Sequence, residues 1–270
     1  REVRESPEEV EHCWCQCAAL HSMCDFYLGK VLDLMDELDL WKDTLLIVNT
    51  DHGFLLGEHG LWGKNYCPWY EEHIHLPLFI WDPRCRAAGV RRKALVQTID
   101  LPATILEFFG IDRPRDMQGV PLRHAIAADA PVRQAGLFGI HGGHVNVTDG
   151  RYVYMRAPTA NENRPLFNYT LMPTHMRGFF SLDDLEGAEL AGPFAFTKGL
   201  RLLRTPARTG QKPHEVGTLL FDLQGDPKQE KPINDATIEQ RMLGHLMRLM
   251  QENDAPAEQY ERLGLSGSRP

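Results

Sequence analysis

Residues 45–49, Leu-Leu-Ile-Val-Asn, form a short apolar run without alternation of apolar and polar side chains. Such a run fits a strand buried on both faces, as in a parallel sheet covered by helices. Thr50-Asp51-His52-Gly53 follows at once, so the end of the strand delivers a carboxylate and an imidazole to the rim of the sheet. In open α/β sheets that rim is where ligands gather.

The surrounding pattern agrees with a layered α/β architecture. Ser6-Pro7-Glu8-Glu9 is a helix start, with a cap residue, proline at the first helical position and acids in the first turn. The helix is predicted to run to about Leu40, carrying an apolar stripe of Leu28, Val31, Leu32, Met35 and Leu38. Residues 76–81 and 96–100 read as further strands, the second feeding a helix over 101–109. After about residue 130 short β candidates appear at 136–140, 144–148, 152–156 and 218–223, with Asp149-Gly150 as a hairpin turn. Residues 236–252 form an amphipathic helix carrying Ile238, Met242, Leu246 and Leu249. The expected division is 1–132, part of an α/β domain, and 133–270, a small antiparallel sheet packed by a helix.

Composition excludes some partners. Apolar residues make up 43% and charged residues 24%, with 29 Lys plus Arg against 37 Asp plus Glu. These values suit a soluble globular protein. With no basic stripe, nucleic acid is excluded as the expected partner. No apolar run approaches the roughly 18 residues of a membrane-spanning helix. Cys13, Cys15 and Cys17 are spaced by two on the predicted helix, so they point to different faces and do not share one metal. Together with Cys24, Cys67 and Cys85 they are read as small, buried, reduced residues, favouring the cytoplasm over the periplasm.

Asp51-His52-Gly53 alone also fits an ordinary turn. As metal ligands, Asp51 and His52 suit a divalent ion of intermediate hardness, Mn²⁺, or Ca²⁺ if the other ligands are oxygens. Two donors are too few, and the others must come from elsewhere. Lys64, thirteen residues after Asp51, reads in this company as a clamp on an anionic group held at the metal. His59 reads as structural, Glu71 and Glu72 as residues of a short helix, and Trp62, Trp69 and Tyr70 as core packing rather than a sugar or aryl site. His175 sits in a loop that could close over a substrate, although an ordinary loop histidine is the better fit.

These residues resemble the C-terminal metal-binding segment of the sulfatase family, within the alkaline phosphatase superfamily. The matching pieces are Asp43-Thr44, Asn49-Thr50-Asp51-His52-Gly53, Leu56-Gly57-Glu58-His59-Gly60, Trp62 to Lys64, and Leu76-Pro77-Leu78. Met117-Gln118-Gly119, Leu220-Phe221-Asp222-Leu223 and the tail Ala255-Pro256-Ala257-Glu258-Gln259-Tyr260 are similar to later landmarks of its arylsulfatase and phosphonate monoester hydrolase branch.

The resemblance implies an alkaline phosphatase-like, mainly parallel sheet flanked by helices. It implies hydrolysis of a small-molecule sulfate or phosphonate ester with one divalent cation, Ca²⁺ or Mn²⁺, held by Asp51 and His52. Lys64 would contact the oxyanion, and His175 is a further catalytic candidate. The family's nucleophile is a formylglycine made in the pattern Cys or Ser, any residue, Pro, any residue, Arg. That pattern does not occur here: Thr205-Pro206-Ala207-Arg208 imitates its second half, but Arg204 stands at the nucleophile position, and Cys67-Pro68 lacks the spacing. The expectation is a C-terminal portion whose nucleophile and two early acidic ligands lie in a missing N-terminal half. Such a piece would be inactive alone and would need that half, or a second copy, as partner. A phosphonate monoester or phosphodiester hydrolase and a non-catalytic sulfatase-like module are the competing expectations.

Overall fold

In a computed structural model, residues 2–65, 68–175 and 177–265 are described. The chain divides into two compact units, Arg1–Gln134 and Ala135–Pro270.

The first unit opens with α1 (Pro7–Glu37). Ser6 Oγ accepts the Glu9 N–H and the Glu9 carboxylate accepts the Ser6 N–H at 2.8 Å, a capping box that pairs two donors the helix cannot satisfy itself. Then come β1 (Leu46–Asn49), a hairpin of β2 (Leu55–Leu56) and β3 (Trp62–Gly63), the single turn α2 (Glu71–Ile74), β4 (Leu78–Trp81), α3 (Asp100–Phe108) and α4 (Arg123–Ala128). β1 runs antiparallel to β4, with Leu46 opposite Trp81 and Asn49 opposite Leu78. All strand pairs among the described residues are antiparallel, so the mainly parallel sheet expected from the sequence is not found there. The stretch between Asn49 and Leu78 is long enough for a crossover, but it holds a hairpin and one helical turn in place of the helix that usually carries the chain back to a parallel start.

Residues 96–99 form a turn, not the expected strand. The Asp100 carboxylate reaches back to the Gln97 N–H at 2.8 Å, and the Asp100 N–H donates to the Gln97 carbonyl at 2.9 Å. Asp100 is fully buried and receives both Arg133 Nη atoms, at 2.5 and 2.6 Å. The cysteines also differ from expectation. Cys13, Cys15 and Cys24 are exposed and Cys17 half-buried, because α1 buries only Met35 while Trp14, Leu20, Met23, Phe26 and Tyr27 stay at least half exposed; Cys85, after β4, is half-buried. Cys67 lies outside the described residues.

The second unit holds a four-stranded sheet in the order β13-β7-β6-β5, from β5 (Gly136–Gly139), β6 (Val145–Thr148), β7 (Tyr152–Arg156) and β13 (Leu219–Asp222). Asp149 Oδ1 accepts the N–H groups of Arg151 and Tyr152, and Gly150 takes φ 91°, which closes the β6–β7 turn. α7 (Ala236–Glu252) lays Met242, Leu246 and Met250 on Val147, Tyr152, Tyr154 and Leu220, and α8 (Ala257–Arg262) adds Tyr260. A second sheet, β11-β12-β8, is built from β8 (Phe167–Thr170), β11 (Glu189–Ala191) and β12 (Leu202–Pro206). The hairpin of β9 (Thr174–His175) and β10 (Gly178–Phe179) precedes the short α5 (Leu182–Leu185), and α6 (Pro213–Val216) leads into β13.

Candidate functional site

β1 ends at Asn49 and the next residues fold tightly on themselves. Thr50 Oγ1 donates to the His52 carbonyl at 3.2 Å, and the His52 N–H donates to Asp51 Oδ1 at 3.0 Å. His52 Nδ1 faces the Gly53 carbonyl at 2.9 Å; a carbonyl only accepts, so the ring proton sits on Nδ1 and Nε2 keeps its lone pair. That Nε2 lies 3.3 Å from Asp51 Oδ2 and 2.5 Å from Lys64 Nζ. The Asp51 side chain is 83% exposed and that of His52 39%. Carboxylate and imidazole lone pair thus sit side by side at the chain surface, and the imidazole Nε2 accepts a hydrogen bond from the Lys64 ammonium.

This donor set fits a divalent ion in part. Aspartate oxygen and neutral imidazole nitrogen are ligands for such an ion, and both project from one short loop. Among the described residues no third His, Cys, Asp or Glu joins them in a group able to hold a metal. The pair therefore offers two donors, fewer than a divalent ion takes.

The loop is fastened from behind. The N–H groups of Gly53 and Phe54 donate to the carbonyls of His73 and Glu72, at 3.0 and 3.1 Å. A Cβ on Gly53 would stand 1.7 Å from the Glu72 oxygen, so this approach requires glycine. The buried His73 donates from Nε2 to the Gly63 carbonyl at 3.1 Å. Burial pushes its pKa below the ordinary histidine value, partly offset by that bond, and keeps the ring neutral. His59 stacks on Tyr70, centroids 3.6 Å apart, with its Nε2 3.5 Å from Glu72 Oε2. Glu71 instead holds His75 Nδ1 at 2.8 Å, which raises the His75 pKa, so the two acids serve different partners. Trp62 donates to Glu5 at 2.8 Å and Trp69 stacks near His73 at 6.1 Å, both structural contacts.

His175 lies in the second unit, on β9. Its Nε2 is 3.1 Å from Asp184 Oδ2 and its ring 4.7 Å from Phe180. Asp184 caps α5 through Ser181, and the Ser181 N–H, followed by His175, holds its carboxyl down at about 2. Thr205 to Arg208 begins in β12, with Thr205 buried and Arg204 paired to Glu189 and lying over Phe167. Sequence reasoning missed His73: one histidine between two acids and an isoleucine carries no periodic or motif signal.

The family described as Sulfatase matches residues 15–111. N-acetylglucosamine-6-O-sulfatase of Bacteroides thetaiotaomicron is 33% identical over 99 residues, 37% of this chain and 17% of that protein. The multifunctional alkaline phosphatase superfamily protein PehA of Trinickia caryophylli is 38% identical over 108 residues, 40% of this chain and 21% of its own length. Arylsulfatase K of Homo sapiens is 32% identical over 108 residues, 39% and 20%. A solved structure in complex with its substrate D-glucosamine-2-N,6-O-disulfate aligns with TM-score 0.55 at 18% identity, over 91% of this chain and 40% of that one. The phosphonate monoester hydrolase of Silicibacter pomeroyi aligns with TM-score 0.56 at 21% identity, over 85% and 39%. At such identities the structural likeness speaks for the fold alone. The chain spans no more than 21% of these curated relatives.

Proposed function

From a chain whose residues 15–111 match the sulfatase family, we infer a part in sulfuric ester hydrolysis, with the remaining parts supplied by residues outside it. The observation that carries this reading is the convergence of His52 Nε2 with Asp51 Oδ2 at 3.3 Å and Lys64 Nζ at 2.5 Å. Asp51 and His52 would hold one divalent cation, Ca²⁺ or Mn²⁺, whose contribution when bound is Lewis-acid stabilisation of charge on an ester oxygen. The Gly53 carbonyl fixes the His52 tautomer and so turns the Nε2 lone pair outward, where a bound cation would take the place of the Lys64 hydrogen bond. Lys64 presents an ammonium to the oxygens of a tetrahedral ester, where charge grows in the transition state. A formylglycine from outside this chain would supply the nucleophile.

Residues 1–132 read as the C-terminal part of the catalytic domain, its mainly parallel sheet completed by strands from elsewhere, and residues 133–270 as the accompanying subdomain. The half-exposed Trp14, Phe26 and Tyr27 of α1 support a covering partner, the rest of the protein or a second copy. No helix among the described residues is long and apolar enough to cross a membrane. The free thiols favour a reducing compartment, the cytoplasm before the periplasm.

A phosphonate monoester or phosphodiester hydrolase is the second reading, favoured by the 38% identity to PehA. A non-catalytic module is a third, favoured by the missing nucleophile pattern. Turnover of an aryl sulfate and a phosphonate monoester by the full-length protein, with and without chelator, tests them. Chelator-sensitive sulfate cleavage is expected. Phosphonate cleavage alone would move the assignment to the second reading, and no turnover of either to the third.

A further inference from the structure

Among the described residues His73 makes no hydrogen bond to His52 or Lys64, yet it holds the residue next to each of them. α2 is one turn long, so the carbonyls at its end have no partner within the helix. The His73 carbonyl takes the Gly53 N–H at 3.0 Å, one residue beyond His52. The same residue's imidazole donates from Nε2 to the Gly63 carbonyl at 3.1 Å, one residue before Lys64. Backbone and side chain of a single buried residue thus grip the two arms of the β2–β3 hairpin, which pairs Leu55 with Gly63. The ring has little freedom. Trp69 stacks against it, centroids 6.1 Å apart and planes 22° from parallel. Its neutral form carries one proton, which the Gly63 carbonyl draws to Nε2, and its Nδ1 is buried with no hydrogen-bond partner among the described residues.

Packing alone would be met by any aromatic or aliphatic residue of similar volume. What only a histidine-like donor provides is the tie from α2 to the Gly63 carbonyl. We propose that His73 is a positioning residue, whose ring sets the separation of His52 Nε2 and Lys64 Nζ by anchoring the Lys64 arm. Its functional weight rests on the reading of His52 and Lys64 given above, whereas the geometric claim does not.

The test uses the full-length protein with ¹⁵N-labelled histidine, its resonances read after a chelator has removed divalent cations, and the variants His73→Ala, His73→Gln and Lys64→Ala. Gln is chosen because its Nε2 can still donate to a carbonyl. The His52 Nε2 resonance reports whether the Lys64 ammonium is bonded to it, and Lys64→Ala gives the unbonded reference. The expected result is that His73→Ala moves this resonance to the Lys64→Ala position and His73→Gln keeps it at the wild-type position. In parallel, kcat falls about a hundredfold in His73→Ala with KM changed far less, as expected for a misplaced group, and His73→Gln recovers most of the loss. A His52 resonance unmoved in His73→Ala, or equally displaced in a folded His73→Gln, overturns the proposal. If His73→Ala does not fold, His73→Gln decides alone by the same criterion. A wild-type protein that turns over no ester would defeat the hydrolase reading and leave the resonance test intact.

Discussion

Lys64 Nζ stands 2.5 Å from His52 Nε2, twelve positions apart in the chain. An ammonium so close to a neutral imidazole is a hydrogen-bond donor with protons left over, since Lys carries three and His52 can accept one. The remaining protons are available to an anion.

Replacing that ammonium should therefore remove transition-state stabilisation. Lys64→Ala in the full-length protein is expected to lower kcat about 10²–10³-fold, or roughly 3–4 kcal/mol. Steady-state kinetics on an aryl sulfate measures this, and unchanged turnover would strip Lys64 of its role. Asp51→Asn and His52→Ala should each weaken the recovery of activity by Ca²⁺ or Mn²⁺ after chelation.

Gly53 has no room for a side chain. With a Cβ 1.7 Å from the Glu72 oxygen, Gly53→Ala forces the loop off α2 and breaks the Gly53 and Phe54 hydrogen bonds. The cost is about 2 kcal/mol or more, in the range of overpacked sites. Urea unfolding of the variant should show a lower midpoint, and an unchanged midpoint would mean the backbone relaxes freely.

The Asp100 carboxylate meets both Arg133 nitrogens and the N–H groups of Gln97 and Val120 at 2.8 Å, with no solvent exposure of its own. Asp100→Ala leaves a guanidinium and two amides short of a partner and should cost about 3–5 kcal/mol. The double variant Asp100→Ala with Arg133→Met should be less destabilised than Asp100→Ala alone, because the stranded charge is gone.

His144 is buried in the second unit, and burial, with Arg262 adding to it, lowers its pKa despite the bond from its Nε2 to the Gly217 carbonyl. The unfolded chain then binds a proton near pH 6.5 that the folded chain refuses until lower pH. Its contribution is fully present above about pH 6.5 and declines as pH falls toward the lowered folded value. Between pH 7 and 5 the unfolding midpoint should drop in the wild type and drop less in His144→Gln. Parallel slopes would show that His144 does not titrate on unfolding.

Local signals in the sequence translated well where the physics is local. Ser6-Pro7-Glu8-Glu9 predicts the capped start of α1, and the stripe of Ile238, Met242, Leu246 and Leu249 lies on the 17-residue α7, Ala236–Glu252. Asp149-Gly150 closes its turn as written. Strand direction was not legible, because an apolar run such as Leu46–Asn49 does not say which way its neighbour runs, and the run is only half-buried, with Asn49 exposed. The turn at Gln97 to Asp100 escaped for a related reason: a carboxylate reaching back three residues competes with β propensity, and only the Arg133 contact, 33 residues away, makes that choice pay. In the site, Asp51, His52 and Lys64 announce themselves by residue type. His73 acts through an ordinary hydrogen bond at a range of ten residues, which residue type does not encode.

The bare backbone at Gly53 separates two kinds of freedom. Neighbouring donors at 51 and 52 lie at the surface, and exchanging them gives up only the Asp51 Oδ1 and His52 Nδ1 bonds inside the loop, so the cation preference proposed for them is open to redesign. The position after them is closed to any such change, and an engineer altering selectivity would keep it fixed while varying everything in front.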